Sequence, residues 1–189
     1  MANYPCPGAG PGHGTFHGPP DPSKPALWSF FTTLYGELAE LFPDPYVSVG
    51  GDEAWLTPWT CSPAVIKWMK ANGFDTGSAA RYYEQRLEAI VTLNGTNSKR
   101  TMMWAPGEST VDSTQVHIVW SGWPQNGPLD GWKHDFYSFT KQGQEVVLSG
   151  PWYLTPSHPA WDQWPVWYHT DPGNFSGNST EQSLVPSSN

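Results

Sequence analysis

The sequence predicts an α/β fold with parallel strands, and three observations carry that expectation. Segments of helical periodicity alternate with short strand-type runs. Three of those runs, Thr101 to Trp104, Val116 to Trp120 and Glu145 to Leu148, read as buried strands. The length, 189 residues, suits one domain built around one core.

Taken in order, Met1 to Pro25 carries Pro5, Pro7, Pro11, Pro19, Pro20 and Pro22, which excludes a regular helix or a central strand and leaves a long loop. Leu27, Phe30, Phe31, Leu34, Leu38, Leu41 and Phe42 then recur at helical spacing, with Ser23 and Pro25 as a start signal and Pro43 as a stop. Tyr46 to Val49 is a short strand-type run ending at Gly50 and Gly51, so Asp52 and Glu53 follow a strand's C-terminal end. Ser62 and Pro63 predict the start of a helix that closes at Gly73, and a second helix is expected from about Ser78 to Leu93. Trp132 to Gln142 reads as a helix ending at Gly143. The stretch from Asn174 to Asn189, rich in Asn, Ser and Thr, is expected to be a mobile tail.

Composition narrows the function. The net charge of −8 provides no basic stripe for counterion release, so nucleic acid is not an expected partner. No apolar run reaches about 18 residues, and the first residues lack the basic and then apolar profile of a signal peptide. Neither a membrane span nor an export signal is expected in this chain. The 12 Trp, 8 Tyr and 8 Phe supply flat apolar faces with polar edges, which suit sugar recognition as well as core filling. His13, His17, His117, His134, His158 and His169 show no metal-site spacing. No metal or cofactor is expected. Nucleophile elbows and phosphate loops are likewise missing from the sequence.

Asp52 and Glu53 are the candidate chemical pair. The two preceding glycines let the backbone turn sharply and let a ligand approach closely. Neighbouring carboxylates in a Trp-lined cleft would divide their roles, one donating a proton while the other stays charged. On the dipeptide alone, a Gly-Gly-Asp-Glu surface turn is the commoner reading.

Val47-Ser48-Val49-Gly50-Gly51-Asp52-Glu53 followed by Trp59 resembles the active-site signature of the family 20 β-N-acetylhexosaminidases. Phe42-Pro43-Asp44, Gly14-Thr15-Phe16, Asp21-Pro22-Ser23, Lys70-Ala71-Asn72-Gly73-Phe74, Trp104, Val119-Trp120 and Pro151-Trp152-Tyr153-Leu154 are similar to further stretches of that family, in the same order. The resemblance implies strands four to seven of a (β/α)8 TIM barrel with their helices. The chain would then be a single partial catalytic domain over residues 1–189.

The resemblance also implies the chemistry. Terminal β-linked N-acetylhexosamine, GlcNAc or GalNAc, would be released from glycans by a substrate-assisted retaining mechanism. Glu53 would be the general acid and then base, and Asp52 would hold the acetamido N–H. Trp104 and Trp120 match rings that enclose the acetamido methyl, and Tyr153 matches the phenol that bonds its carbonyl. Cys6 and Cys61 match a family disulfide, although Pro58 stands where the second cysteine is usual. Asn94, Asn174 and Asn178 begin glycosylation sequons. A secreted or lysosomal setting follows from the resemblance.

Against the family pattern, strands one to three and eight are missing from the sequence, with the residues they would carry. Ser48, the Ala105-Pro106 pair and Thr155 also depart from it. A partial barrel has open strand edges, so a homo-oligomer or a complementing barrel fragment is an expected partner. The alternative expectation is a degenerate, non-catalytic carbohydrate-binding module or an inactive fragment.

Overall fold

The computed structural model describes residues 6–7, 15–16, 18–93, 99–105, 115–120, 131–150 and 168–186. The single core expected from length resolves into two compact units, Met1–Thr101 with Gly107–Thr110 and Met102–Pro106 with Val111–Asn189. Each unit buries its own apolar cluster.

In the first unit β1 (Cys6–Pro7) pairs antiparallel with β2 (Thr15–Phe16), a two-residue ladder within the stretch read as loop. Helix α1 spans Pro25–Leu41 with proline in its first turn, where a missing N–H costs nothing. Ser23 does not cap it. Its N–H and hydroxyl both donate to Asp21 Oδ1, at 2.9 and 2.6 Å, and Lys24 takes the cap position without a side-chain bond. Trp28 is buried, donates its indole N–H to the Pro22 carbonyl at 3.0 Å, and lies 4.4 Å beneath the Arg86 guanidinium.

The corner between α1 and β3 (Tyr46–Ser48) is pinned by Lys99. Its ammonium, although buried, donates to the Phe42 carbonyl at 2.6 Å and to the Asp44 carbonyl. The Arg100 N–H then meets the Pro45 carbonyl at 2.8 Å. Burying a charge is tolerable here because fixed carbonyl dipoles replace its water.

Helix α2 (Thr57–Cys61) was not expected from sequence, being too short to show a period. It is followed by α3 (Pro63–Asn72), capped by Ser62 Oγ accepting from Val65 N–H and stopped by Gly73 at φ +68°. Helix α4 (Thr76–Leu93) starts two residues earlier than periodicity suggested. Asp75 and Ser78 bracket its first turn: Ser78 N–H donates to Asp75 Oδ1 at 2.7 Å and Asp75 N–H to Ser78 Oγ at 2.9 Å. The Ser78 hydroxyl also donates to Asp75 Oδ1 at 2.5 Å, and this bond first, then the one from Ser78 N–H, hold the Asp75 carboxyl below its ordinary range. Trp59, Val65, Met69, Ala79 and Ala80 form this unit's core.

Strands β3, β4 (Arg100–Ala105), β5 (Val116–Val119) and β6 (Glu145–Leu148) make a four-stranded sheet in that order. β4, β5 and β6 run parallel, with Trp104 beside Ile118 and Ile118 beside Val147. Helix α5 (Trp132–Thr140) covers one face. Trp132 and Phe136 pack there with Val119, Val146 and Leu148. His117 lies on the same face, fully buried and stacked on Phe139 at 4.2 Å, with neither ring nitrogen hydrogen-bonded.

The stretch read as a mobile tail is anchored over its described part. Phe175 is buried against Phe136, and α6 (Ser179–Gln182) begins with a reciprocal capping box between Asn178 and Glu181. Val146 N–H donates to the Leu184 carbonyl at 3.1 Å, so this segment occupies a backbone group of β6, the last strand in the sheet order. Composition could not reveal this, because Phe175, Val185 and one edge hydrogen bond do the anchoring.

Two expected outcomes follow from these contacts. Burial pushes the His117 pKa down from 6.5 to about 4, so between those values the unfolded chain binds a proton that the native state excludes. Stability is therefore full above pH 6.5 and falls by roughly 3 kcal/mol as pH drops to about 4. From pH 7 to 4 the urea midpoint of the parent should fall relative to that of His117→Leu; a constant offset would refute the assignment. Cys6 and Cys61 are joined by a disulfide across 55 positions, which should stabilise by about 4 kcal/mol. Thermal melts with and without reductant, beside the Cys6→Ser/Cys61→Ser double variant, measure it.

Candidate active site

The segment after β3 is built for an abrupt change of direction. Gly50 and Gly51 take φ of +74° and +103°, and Glu53 itself sits at +47°. A non-glycine residue in the left-handed region costs about 1–2 kcal/mol, and such strain persists only where neighbouring structure enforces it. Here the enforcement comes from the C-terminal side. Trp59 is buried, donates its indole N–H to the Pro19 carbonyl at 3.2 Å, and packs on Tyr83. Two residues later Cys61 is tied to Cys6, with their Cα atoms 5.7 Å apart.

Asp52 and Glu53 are thus presented side by side on a tight turn, and both are exposed. The aromatic residue that stands nearest in sequence is Trp55, whose side chain is 44% exposed.

Trp104 and Trp120 belong to the second unit. Trp104 lies near the C-terminal end of β4, in register with Ile118, and Trp120 follows β5 two residues beyond Ile118. Alternation along a strand therefore puts Trp104, Ile118 and Trp120 on the face opposite α5. Both tryptophans are half-buried. Tyr153 and Asn94 lie outside the described residues. Asn174 is exposed, and Asn178 is exposed with its side-chain oxygen accepting the Thr180 and Glu181 N–H groups at 3.0 Å.

Among the described residues no three His, Cys, Asp or Glu side chains are grouped so that they could hold a metal ion. Sequence reading missed two residues with a bearing on the site. Lys99 fixes the corner that leads into β3, and nothing distinguishes a buried lysine from a surface one in a single sequence. Trp55 was passed over because twelve tryptophans hide which one remains at the surface.

The strain at Glu53 is measurable. Glu53→Asn, which suits a left-handed backbone better, should raise stability by about 1 kcal/mol in thermal or urea unfolding. A variant less stable than the parent would show that the glutamate side chain, not the backbone, holds the turn.

The model for the glycosyl hydrolase family 20 catalytic domain matches residues 11–183. Mouse (Mus musculus) β-hexosaminidase subunit beta is 30% identical over 175 residues, covering 89% of this chain and 30% of the relative. Subunit A1 of β-hexosaminidase from Dictyostelium discoideum is 31% identical over 173 residues, covering 88% of this chain and 31% of the relative. The chain thus spans about 30% of the length of these curated relatives. Among solved structures, the chitobiase of Flavobacterium johnsoniae superposes with a TM-score of 0.70 at 21% identity, over 91% of this chain and 25% of that one. That likeness establishes the fold as part of the barrel of these enzymes. With the match extending over most of its length, the chain belongs to glycosyl hydrolase family 20.

Proposed function

We propose that this chain serves the hydrolysis of terminal non-reducing β-linked N-acetylhexosamine from glycans. The observation that carries the reading is the Asp52-Glu53 pair, held on a strained turn directly after a strand in a chain of family 20. Strain retained at an acidic pair is a cost that function explains better than folding does.

The chemistry follows the substrate-assisted route. Glu53, as the carboxylic acid, gives its proton to the glycosidic oxygen while the C1–O bond breaks. The substrate's own acetamido oxygen attacks C1 from the opposite face, forming a cyclic oxazolinium and releasing the leaving alcohol. Asp52 accepts the acetamido N–H and stabilises the positive charge that develops on the ring. Glu53, now a carboxylate, takes a proton from water as that water attacks C1, and the acetamido group is restored. Trp104 and Trp120 would enclose the acetamido methyl and Tyr153 would donate to its carbonyl.

The exposure of both carboxylates favours a second reading, a sugar-binding module without turnover, since a general acid works best where water is excluded. In the first reading, a second copy or a complementing barrel fragment closes the pocket. The disulfide supports an oxidising compartment, in keeping with a secreted or lysosomal setting. No described helix is long and apolar enough to cross a membrane.

Glu53→Gln separates the readings. Release of chromophore from an aryl N-acetyl-β-glucosaminide should fall by at least about 100-fold, the usual scale for a lost general acid, while product still binds. Asp52→Asn should cost a comparable factor in kcat. A folded parent protein with no turnover, binding N-acetylglucosamine equally well with and without Glu53→Gln, would favour the binding module.

A further inference from the structure

We propose that Asn178 is a modification site that carries an N-linked oligosaccharide on the folded protein. The inference is independent of the reaction proposed above.

Three observations carry it. First, Asn178-Ser179-Thr180 fits the acceptor pattern Asn-x-Ser/Thr with no proline at its middle position, and all three residues are exposed. Asn174-Phe175-Ser176 fits the same pattern but runs through the core, since Phe175 is 7% exposed and packs edge-on against Phe136. A bulky hydrophilic chain is accommodated best where the neighbours of its attachment point also face water.

Second, the two ends of the Asn178 amide have separate tasks. Its Oδ1 accepts the Thr180 and Glu181 N–H groups, both at 3.0 Å, while the backbone N–H donates to Glu181 Oε2 at 2.8 Å. Among the described residues Nδ2 has no hydrogen-bond acceptor. Joining Nδ2 to a sugar leaves the side-chain carbonyl in place, because the product is still an amide. Helix α6 therefore keeps its cap when the glycan is attached.

Third, the acceptor stands on a fixed backbone. Gly177 passes so close over Phe175 that a Cβ there would lie 2.5 Å from the ring, and the Leu184 carbonyl is bonded to Val146 N–H of β6 at 3.1 Å. Asn178 is exposed between these two anchors. The Cys6–Cys61 disulfide supports passage through an oxidising compartment, the secretory route on which such transfer occurs.

In the transfer, Nδ2 attacks the anomeric carbon of an oligosaccharide activated as a lipid diphosphate ester. The N–C bond forms as the bond from the anomeric carbon to the diphosphate oxygen breaks. The lipid diphosphate leaves with that electron pair, and Nδ2 gives up one proton to solvent.

The test is secretion of the full chain from a eukaryotic host behind a secretion leader, then treatment with a peptide N-glycosidase, which releases the glycan and deamidates the asparagine that bore it. Parent protein should shift to lower mass, with the mark of deamidation at residue 178 in its peptide spectra. Asn178→Asp and Thr180→Ala should both lose the shift from this site, and each keeps an Oδ1 acceptor and the backbone N–H groups of the cap, so both remain folded. Asn174→Gln should retain it. A secreted parent unmodified at Asn178, glycan found at Asn174 alone, or modification of Asn178 that persists in Thr180→Ala would overturn the assignment.

Discussion

Closure of Cys6 onto Cys61 is the constraint on which the first unit depends. It ties the Pro/Gly-rich beginning of the chain to the short helix that follows the acidic turn. Trp59 reinforces the same corner by burying its ring and bonding to the Pro19 carbonyl. Through these two anchors the loop and α2 become one body, and the left-handed backbone at Glu53 has something rigid to lean on. Without them the turn would relax toward the conformations most residues prefer.

Among the described residues, Lys99, Gln115 and Gln144 are buried immediately before β4, β5 and β6, and His117 within β5. Lys99 pays for its position with two carbonyl partners and fixes the entry to β3. His117 has no such partners and remains neutral because its neighbours are Phe139 and the strand core. A buried lysine with acceptors and a buried histidine without them answer the same desolvation cost differently, one by bonding and one by giving up its charge. Tyr83 follows the histidine's pattern: burial raises its pKa, and nearby Tyr35 adds to the shift.

Aromatic residues divide by role in the same way. Trp28 and Trp132 sit inside helix-covered clusters, each with an edge-on aromatic neighbour. Trp104 and Trp120 are half-buried on the face of the second unit's strands opposite α5, and Trp55 is the most exposed of the described tryptophans that follow β3. Only rings of the second kind can meet a sugar, because a stacking face must be open to solvent before ligand arrives.

Much of this was legible in the sequence. The alternation of strand and helix, the cap at Ser62, the stop at Gly73 and the strand at Glu145 to Leu148 depend on local propensity and appear where the residues place them. The ordered set of motifs around Asp52 and Glu53 identified the family, because side-chain chemistry and chain order are both written in one dimension. Burial and anchoring were not. The anchoring of the segment after Asn174 turns on buried Phe175, on Val185 and on one bond to the last strand, and the burial of Trp59 turns on which side of a five-residue helix meets the core. Such outcomes are set by contacts between residues far apart in the chain, which only the tertiary structure brings together.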